Sequence, residues 1–316
     1  MAATVSISPS PLPHPQVNIT KYMVALLQLP VSPRKEENIA RARDRIDAAA
    51  AAGAALVVLP ASLINSSSLE IWNCPYSMET LPSYGEDIDG GASPSISMLS
   101  EVASRRRITI VGGSIPEISS SGKLFNTCCV IGTDGQIKAK HRKLHLFEID
   151  IPGDITFRES DTFAAGQEPT IVDTDVGLIG IGICHDIRFP ELAKLYRLRG
   201  AHLICYPSAF NMSTGELLWD LMQKSRAVDN QLFVVTCSPA RDPTAKSDYM
   251  IWGHSSLIGP FGEVIATAGH EEETVIGEID LSMIQTIREN LPLEMQRRED
   301  LYQLVDVRRK SSGDNA

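Results

Sequence analysis

Residues 176–191, VGLIGIGICHDIRFPE, join a short apolar strand to a polar turn and then to a helix. In residues 176–183 only glycines interrupt the apolar side chains, which predicts a buried strand that other backbone approaches closely. Cys184 follows at the carboxyl end of this strand, the edge of an α/β sheet where ligands bind. We therefore predict that Cys184 is a nucleophile, with its thiolate favoured by the helix start that follows. The alternative is a buried structural cysteine, since cysteine is among the most buried residue types.

His185 and Arg188 follow the predicted nucleophile. Because adjacent residues of an extended strand point to opposite faces, we do not expect His185 to act as a base for the thiol. Arg188 is a candidate ligand for a substrate carboxylate, which an arginine can bind through two parallel hydrogen bonds. The alternative for Arg188 is an ion pair with Glu191 at the helix start.

Apolar strands alternate with helical patterns along the rest of the chain. Helices are predicted over residues 37–52, 95–106, 191–200 and 217–230. Hairpins are predicted for residues 124–131 with 137–141, which flank an Asp-Gly turn, and for residues 255–258 with 263–267. Strand–helix alternation combined with hairpins favours an α/β fold with a mixed sheet covered by helices, rather than an all-parallel barrel.

One domain is predicted over residues 22–302. The length of 316 residues favours about two domains, but no Pro/Gly/Ser-rich linker interrupts the middle of the chain. Residues 1–21 are expected to form a disordered leader and residues 303–316 a polar tail. Residues 1–20 are rich in Ser and Pro like a transit peptide, but they contain neither Lys nor Arg.

The charge and cysteine content exclude several classes of protein. The formal charge of −10 repels phosphate backbones and anionic lipids, so we expect neither a nucleic-acid nor a membrane partner. Six cysteines without a C-x-x-C spacing indicate reduced thiols rather than a disulfide scaffold. There is no apolar stretch long enough to span a membrane. We expect a cytoplasmic protein, with a plastid or mitochondrial location as the alternative.

Residues 141–147, HRKLHLF, form a basic cluster directly after the first predicted hairpin. Lys143 can supply a fixed positive charge to a site, and the alternative is a solvated basic turn. His141 and His145 are four residues apart, like a metal-binding pair. No carboxylate lies at the customary motif spacing, so we expect no metal ion and no other cofactor.

Three separated motifs make the chain resemble the nitrilase superfamily of carbon–nitrogen hydrolases, and within it the omega-amidase branch. These motifs are Leu59-Pro60 with a displaced glutamate, HRKLHLF at 141–147 and GICHDIRFPE at 182–191. The resemblance covers about residues 23–302. It implies a four-layer α-β-β-α sandwich with mixed sheets. It also implies a catalytic Glu-Lys-Cys triad in which Lys143 and Cys184 match, with Glu159 as a supporting acid.

The first glutamate of the triad is displaced in this chain. The family pattern reads Leu-Pro-Glu, whereas Pro60 is separated here from Glu70 by residues 61–69, which we interpret as a nine-residue insertion. A Ser/Asn-rich insertion can loop out at about 0.6 kcal/mol per doubling of loop length. However, a displacement of about 1 Å can lower the rate about a hundredfold. Glu70 is the predicted base, and the reserve carboxylates Glu79 and Glu86 are expected on the surface.

The resemblance implies a reaction on a small amide. The substrates would be the omega-monoamides of short dicarboxylic acids, such as 2-oxoglutaramate and 2-oxosuccinamate, hydrolysed to the dicarboxylate and ammonia through a Cys184 thioester. Lys143 and the backbone N–H of His185 would hold the oxyanion. The predicted substrate-binding residues are Arg188, Tyr76, Asn126, Met212 and His185. Core packing is the alternative for Tyr76 and Met212.

Two other interpretations stay open at this stage, and the resemblance also implies a homodimer. The chain is alternatively another amidase, a nitrilase or a carbamoylase of the same superfamily. It is also alternatively an inactive binding protein, because the insertion at 61–69 can disable Glu70. Residues 297–302 are the candidate contact with a second subunit.

Overall fold

Two mixed β-sheets lie back to back between pairs of helices in the computed structural model, which describes residues 20–61, 63–64, 69–76, 84–152, 155–242 and 250–307. For residues 63–64, 69–71, 74–76 and 155 only the backbone is described. The strands are, in chain order, β1 (Lys21–Gln28), β2 (Ala54–Val58), β3 (Leu63–Ile64), β4 (Leu69–Ile71), β5 (Cys74–Tyr76), β6 (Thr109–Ile118), β7 (Leu124–Ile131), β8 (Ile137–Arg142), β9 (Glu148–Ile151), β10 (Ile155–Arg158), β11 (Thr170–Thr174), β12 (Gly177–Ile181), β13 (Leu203–Pro207), β14 (Phe233–Cys237), β15 (Ser256–Ile258), β16 (Val264–Thr267) and β17 (Glu273–Asp280). The helices are α1 (Lys35–Ala51), α2 (Pro94–Arg106), α3 (Pro190–Leu198), α4 (Met212–Asn230) and α5 (Ser282–Asn290).

Both large sheets mix parallel and antiparallel pairs, as predicted. The first sheet has the order β17-β1-β2-β6-β7-β8, with β1, β2 and β6 parallel. The second sheet has the order β11-β12-β13-β14-β15-β16, with β12, β13 and β14 parallel. The hairpin predicted around the Asp-Gly turn is the β7–β8 pair at the edge of the first sheet. The hairpin predicted for 255–267 is β15 with β16.

Three apolar layers hold the four structural layers together. Side chains such as Leu26 of β1 and Ile179 of β12 fill the space between the sheets. On the outer face of the first sheet, Ile46 of α1 packs in one cluster with residues of α2. On the outer face of the second sheet, Tyr196 of α3 and Trp219 of α4 belong to a third cluster. Central strands are apolar on both faces because each face is covered, which explains the continuous apolar runs in the sequence.

The helices agree with the sequence prediction except at two places. Helix α4 begins at Met212, five residues before the predicted start, because the Asn211 side chain accepts a hydrogen bond from the Thr214 N–H at 2.8 Å and caps the first turn. Helix α5 was not predicted, although Ile284 and Ile287 on its buried face were a usable helical signal. None of the helices in the described ranges has the length and apolar character needed to cross a membrane.

Candidate active site

Cys184 begins a 3₁₀ turn, Cys184–Arg188, at the carboxyl end of β12. Its φ of +47° lies in the left-handed region, which a non-glycine residue seldom adopts and which marks local strain. The side chain is half-buried, and its Sγ lies 3.5 Å from the carbonyl oxygen of Ala209 in the loop after β13. The turn therefore directs the thiol away from the line of the strand and toward the edge shared by β12 and β13.

The glycines before Cys184 admit aromatic rings. A side chain at Gly182 would lie 2.5 Å from the Tyr206 ring, and one at Gly180 would lie 2.7 Å from the Tyr196 ring. The sequence prediction of a close approach was right, but it assigned that approach to backbone. The two rings instead fill the space under the 3₁₀ turn Cys184–Arg188, which we call the nucleophile turn.

Lys143 and Glu159 form a buried ion pair. Their side chains are 3% and 0% exposed, and Lys143 Nζ donates to Glu159 Oε2 at 2.6 Å. The Phe147 backbone N–H donates to the same oxygen at 2.7 Å, and the Asn126 amide donates to the other at 3.4 Å. The main chain of Lys143 is also fixed, because its N–H donates to the Asn126 carbonyl and its carbonyl accepts from the Gly166 N–H. The ammonium is thus held in one place, which the predicted role requires and a solvated basic turn would not provide.

The charges of Lys143 and Cys184 act on each other. Burial lowers the pKa of Lys143, but Glu159 and the thiol raise it by more, so the net shift is upward and the lysine is charged. Burial raises the pKa of the Cys184 thiol, and Lys143 and the Ala209 contact lower it by less, so the thiol is protonated at neutral pH. The net shift of the thiol pKa is therefore opposite to the one expected from the helix start that follows. The thiol needs a base to take its proton.

Asp186 is the third residue of the nucleophile turn, and its side chain binds both histidines of the basic cluster. His145 Nδ1 donates to Asp186 Oδ1 at 2.8 Å, and His141 Nε2 donates to Oδ2 at 3.2 Å. The histidines that resemble a metal pair thus meet a carboxylate. In the described ranges no group of three or more His, Cys, Asp or Glu side chains is placed to hold a metal ion.

His185 faces aromatic rings. Its imidazole makes edge contacts with the rings of Phe147 and Phe189 at centroid distances of 5.2 and 5.6 Å. Burial, with Lys143 and Arg188 adding to it, lowers the pKa of His185 to about 4, so the ring is neutral near pH 7. The sequence argument about alternating strand faces used the wrong geometry, because His185 lies in a 3₁₀ turn.

The other predicted binding residues occupy different positions around this centre. Arg188 is the last residue of the nucleophile turn, and its side chain is exposed. Both Arg188 and Glu191 are described in the structure, and they do not form the ion pair that was the alternative. Asn126 is buried beside Glu159. Met212 is half-buried at the start of α4, and its N–H donates to the Met250 carbonyl. The backbone of Tyr76 lies in β5, and its side chain is outside the described part of the chain.

Glu70 lies in β4, where its backbone pairs with Leu63 of β3 and Pro75 of β5. Its side chain is outside the described part, as is most of the predicted insertion. The chain on both sides of the insertion meets at Gly113. A side chain there would lie 2.2 Å from the Pro60 carbonyl oxygen and 2.8 Å from the Trp72 ring. Pro60, directly before the insertion, and Trp72, two residues after Glu70, therefore both lie against Gly113.

Glu86 is buried, which corrects the expectation of a surface residue. It is 1% exposed, and its carboxylate binds Lys35 Nζ at 2.6 Å, the Ser95 hydroxyl at 2.7 Å and the Asn73 amide at 3.0 Å. The Ser95 N–H also donates to it, so the carboxylate stabilises the positive end of α2. Glu86 therefore anchors the segment after β4. Glu79 lies outside the described residues.

Comparison with known proteins shows which family the chain belongs to. The family model for carbon-nitrogen hydrolases matches residues 23–289. The chain belongs to the carbon-nitrogen hydrolase family. It is 60% identical to the chloroplastic omega-amidase of Arabidopsis thaliana over 96% of this chain and 80% of that protein. It is 48% identical to omega-amidase NIT2 of Homo sapiens over 90% and 98% of the two chains.

A solved structure gives the same result for the fold of this carbon-nitrogen hydrolase. The crystal structure of Nit3 from Saccharomyces cerevisiae, a member of branch 10 of the nitrilase superfamily, matches with a TM-score of 0.78 and 41% identity. The match covers 88% of this chain and 97% of that one. The four-layer fold and the omega-amidase branch predicted from the motifs are confirmed. The protein is an enzyme that hydrolyses carbon–nitrogen bonds of amides.

Proposed function

We propose that this chain is an omega-amidase that hydrolyses the terminal amide of short dicarboxylic acid monoamides, with 2-oxoglutaramate and 2-oxosuccinamate as substrates. The observation that carries the proposal is the buried Lys143 ammonium, held by Glu159 at 2.6 Å and acting on the charge of the Cys184 thiol. This pair gives a nucleophile and an electrophilic group for amide hydrolysis. The relatives named omega-amidase supply the substrate class.

The proposed reaction uses the thiol, the ammonium and one carboxylate. Glu70 takes the proton of Cys184, and the thiolate attacks the amide carbonyl. Lys143 and the His185 N–H stabilise the oxyanion of the tetrahedral intermediate. Glu70 then donates the proton to the nitrogen that leaves as ammonia, and it activates the water that hydrolyses the thioester. The raised pKa of the resting thiol supports this sequence, because a protonated sulfur needs a base before it attacks.

The experiment that tests the function measures ammonia from three kinds of substrate. The purified chain is incubated separately with 2-oxoglutaramate, an aliphatic nitrile and an N-carbamoyl amino acid. We expect ammonia from 2-oxoglutaramate with the highest kcat/KM. Preference for the nitrile or the carbamoyl compound would replace the proposed substrate class with that one.

Arg188 is proposed to bind the free carboxylate of the substrate. Charge-assisted hydrogen bonds contribute about 1.5–3 kcal/mol, so Arg188→Ala is expected to lower kcat/KM for 2-oxoglutaramate about 10- to 100-fold, chiefly through KM. A short uncharged amide should show a much smaller change. Arg45→Ala is the matched control, because Arg45 is exposed on α1 and pairs with Glu272. Equal losses on both substrates would contradict the assignment.

Glu70 is proposed as the base despite the insertion, and the support is that Pro60 and Trp72, which lie on either side of it, both contact Gly113. General-base catalysis contributes about 10²- to 10⁴-fold, so Glu70→Gln is expected to lower kcat at least about a hundredfold. The second variant lacks residues 61–69 and restores the Leu-Pro-Glu spacing. Ammonia release by the deletion variant alone would show that the insertion inactivates the full chain.

Two further properties extend the proposal. Leu217 and Leu221 are 74% and 61% exposed on one face of α4, and Tyr302 in the carboxyl-terminal segment is 60% exposed. We propose that these apolar surfaces form a homodimer, and a one-chain mass in light scattering would refute it. For the location, the relative named chloroplastic supports the plastid alternative over the cytoplasm.

A further inference from the structure

Asp186 is a buried carboxylate that the proposed reaction does not use. It is the second residue after Cys184 and has no exposed surface. Its Oδ1 accepts from the His145 N–H at 2.9 Å and from His145 Nδ1 at 2.8 Å. Its Oδ2 accepts from the Ile183 N–H at 2.9 Å and from His141 Nε2 at 3.2 Å. Both oxygens are therefore satisfied by donors from two different parts of the chain.

These donors come from both halves of the sandwich. Ile183 precedes Cys184 and follows β12 of the second sheet, whereas His141 lies in β8 of the first sheet. His141 and His145 are placed symmetrically about Lys143, two residues before it and two residues after it. The Asp186 carboxylate is thus hydrogen-bonded to His141 and His145, on either side of Lys143, and to Ile183, which precedes Cys184.

Other contacts fix each group separately. Lys143 is held to its own surroundings by the Asn126 carbonyl, the Gly166 N–H and Glu159. The Cys184 sulfur meets Ala209 of the second sheet. Ring contacts also join the two segments, since His145 stacks on Phe189 at 3.6 Å, but hydrogen bonds to an ionised carboxylate are the stronger contacts. Asp186 connects the nucleophile turn directly to His141 and His145 through hydrogen bonds. The hydrogen bond of 2.9 Å between His141 and Thr170 also reaches the second sheet, but through β11 rather than through the turn that contains Cys184.

We propose that Asp186 is a positioning residue that fixes the Lys143 ammonium relative to the Cys184 sulfur, because it belongs to the nucleophile turn and its carboxylate binds His141 and His145 on either side of Lys143. The inference deepens the proposed amidase reaction and rests on it. Burial raises the pKa of Asp186, but the hydrogen bonds from His141 and His145 lower it by more, so it is held well below its usual range. The carboxylate is ionised at neutral pH and accepts from every donor around it.

Asp186→Asn tests the proposal, because it keeps the size of the side chain and presents an NH₂ group where two donors now point. A displacement of about 1 Å can lower the rate about a hundredfold, so we expect kcat for ammonia release to fall about 10- to 100-fold while KM changes less. A lower melting temperature is expected as well. The activity is therefore measured at a temperature where the variant is fully folded.

Glu117→Gln is the matched control. Glu117 is as buried as Asp186 and binds Lys140, Arg142 and the Thr127 hydroxyl. Lys140 and Arg142 point to the face of β8 opposite His141, since side chains alternate along a strand. Glu117→Gln is expected to lower the melting temperature but to leave kcat close to that of the unaltered chain. Equal losses of kcat in both variants would overturn the positioning role.

A second readout does not depend on the amidase reaction. The rate at which iodoacetamide alkylates Cys184 is measured against pH by mass spectrometry. In Asp186→Asn the ammonium is displaced, so the thiol is expected to ionise at higher pH and the profile to shift upward. Unchanged kcat and an unchanged profile overturn the proposal. An unaltered chain that releases no ammonia refutes the proposed function instead, and the alkylation profile still tests Asp186.

His145→Phe tests the positioning role of Asp186 if Asp186→Asn does not fold. It keeps the ring that stacks on Phe189 and the backbone N–H, and it removes only the Nδ1 donor to Asp186. We expect a smaller fall in kcat and a smaller upward shift of the alkylation profile. Wild-type values for both measurements would overturn the proposal.

Discussion

Cys184→Ala is expected to lower kcat for ammonia release from 2-oxoglutaramate at least about 10⁴-fold, the scale on which removal of a nucleophile acts when the rest of the site remains. The reason is chemical, because without the sulfur no thioester forms. The fold should persist. Alanine has the same backbone restrictions as cysteine at a φ of +47°, and the deleted atom contacts the Ala209 carbonyl.

Cys129→Ala is the control for this variant. Cys129 is buried in the cluster beneath α1 and α2, and burial raises the pKa of its thiol to about 12, so it is not a nucleophile at neutral pH. Its loss should affect stability and leave ammonia release nearly unchanged. Intact-mass spectrometry adds a direct check, since the acyl group should accumulate on the native chain and not on Cys184→Ala. Retained turnover in Cys184→Ala would exclude the thioester route.

Lys143→Met is expected to affect both activity and stability. Loss of one oxyanion donor lowers kcat by about 10²- to 10³-fold in other hydrolases, and Lys143 also lowers the pKa of the thiol, so an effect near the upper end is expected. Glu159 would remain buried without its cation. Removal of one partner of a buried pair costs about 3–5 kcal/mol in the free energy of unfolding. Urea unfolding and initial rates of ammonia release measure the two effects.

A double variant separates the two roles of Lys143. In Lys143→Met with Glu159→Gln no charge is left unpaired, and the Phe147 N–H still has an oxygen acceptor. We expect the double variant to regain much of the lost free energy of unfolding and none of the lost rate. Lys140→Met is the control, because Lys140 lies on the face of β8 opposite His141 and binds Asp89 and Glu117. Recovery of activity in the double variant would show that Lys143 acts only through stability.

Local pattern in the sequence was enough for the elements that carry the nucleophile. A strand interrupted by glycines, a cysteine and a proline-led helix are all local signals, and the structure has β12, Cys184 and α3 in that order. The Asp-Gly turn likewise predicted the β7–β8 hairpin, which ends at Arg142, directly before Lys143. These features follow from periodicity and turn chemistry within a few residues, which a single sequence contains.

The charge relations in the site did not follow from local pattern. The sequence favoured a thiolate at Cys184 and a surface position for Glu86, and sequence analysis did not single out Asp186. Each of these depends on groups more than ten residues away along the chain or on burial between layers. Glu86 meets Lys35 of α1, and Asp186 meets His141. The pKa of the thiol depends on the burial of Cys184 and on its distance from Lys143, and neither quantity can be predicted from the spacing of the residues in the sequence.

The sequence by itself predicted the alternation of strands and helices up to β16 and singled out Cys184 and Lys143, because apolar periodicity and turn residues act over short range. The tertiary structure decided which carboxylates meet which cations and whether the sulfur is protonated. Those outcomes depend on the packing of two sheets that bring β8 and the end of β12 together, since electrostatic energies depend on distance and burial rather than on position in the chain.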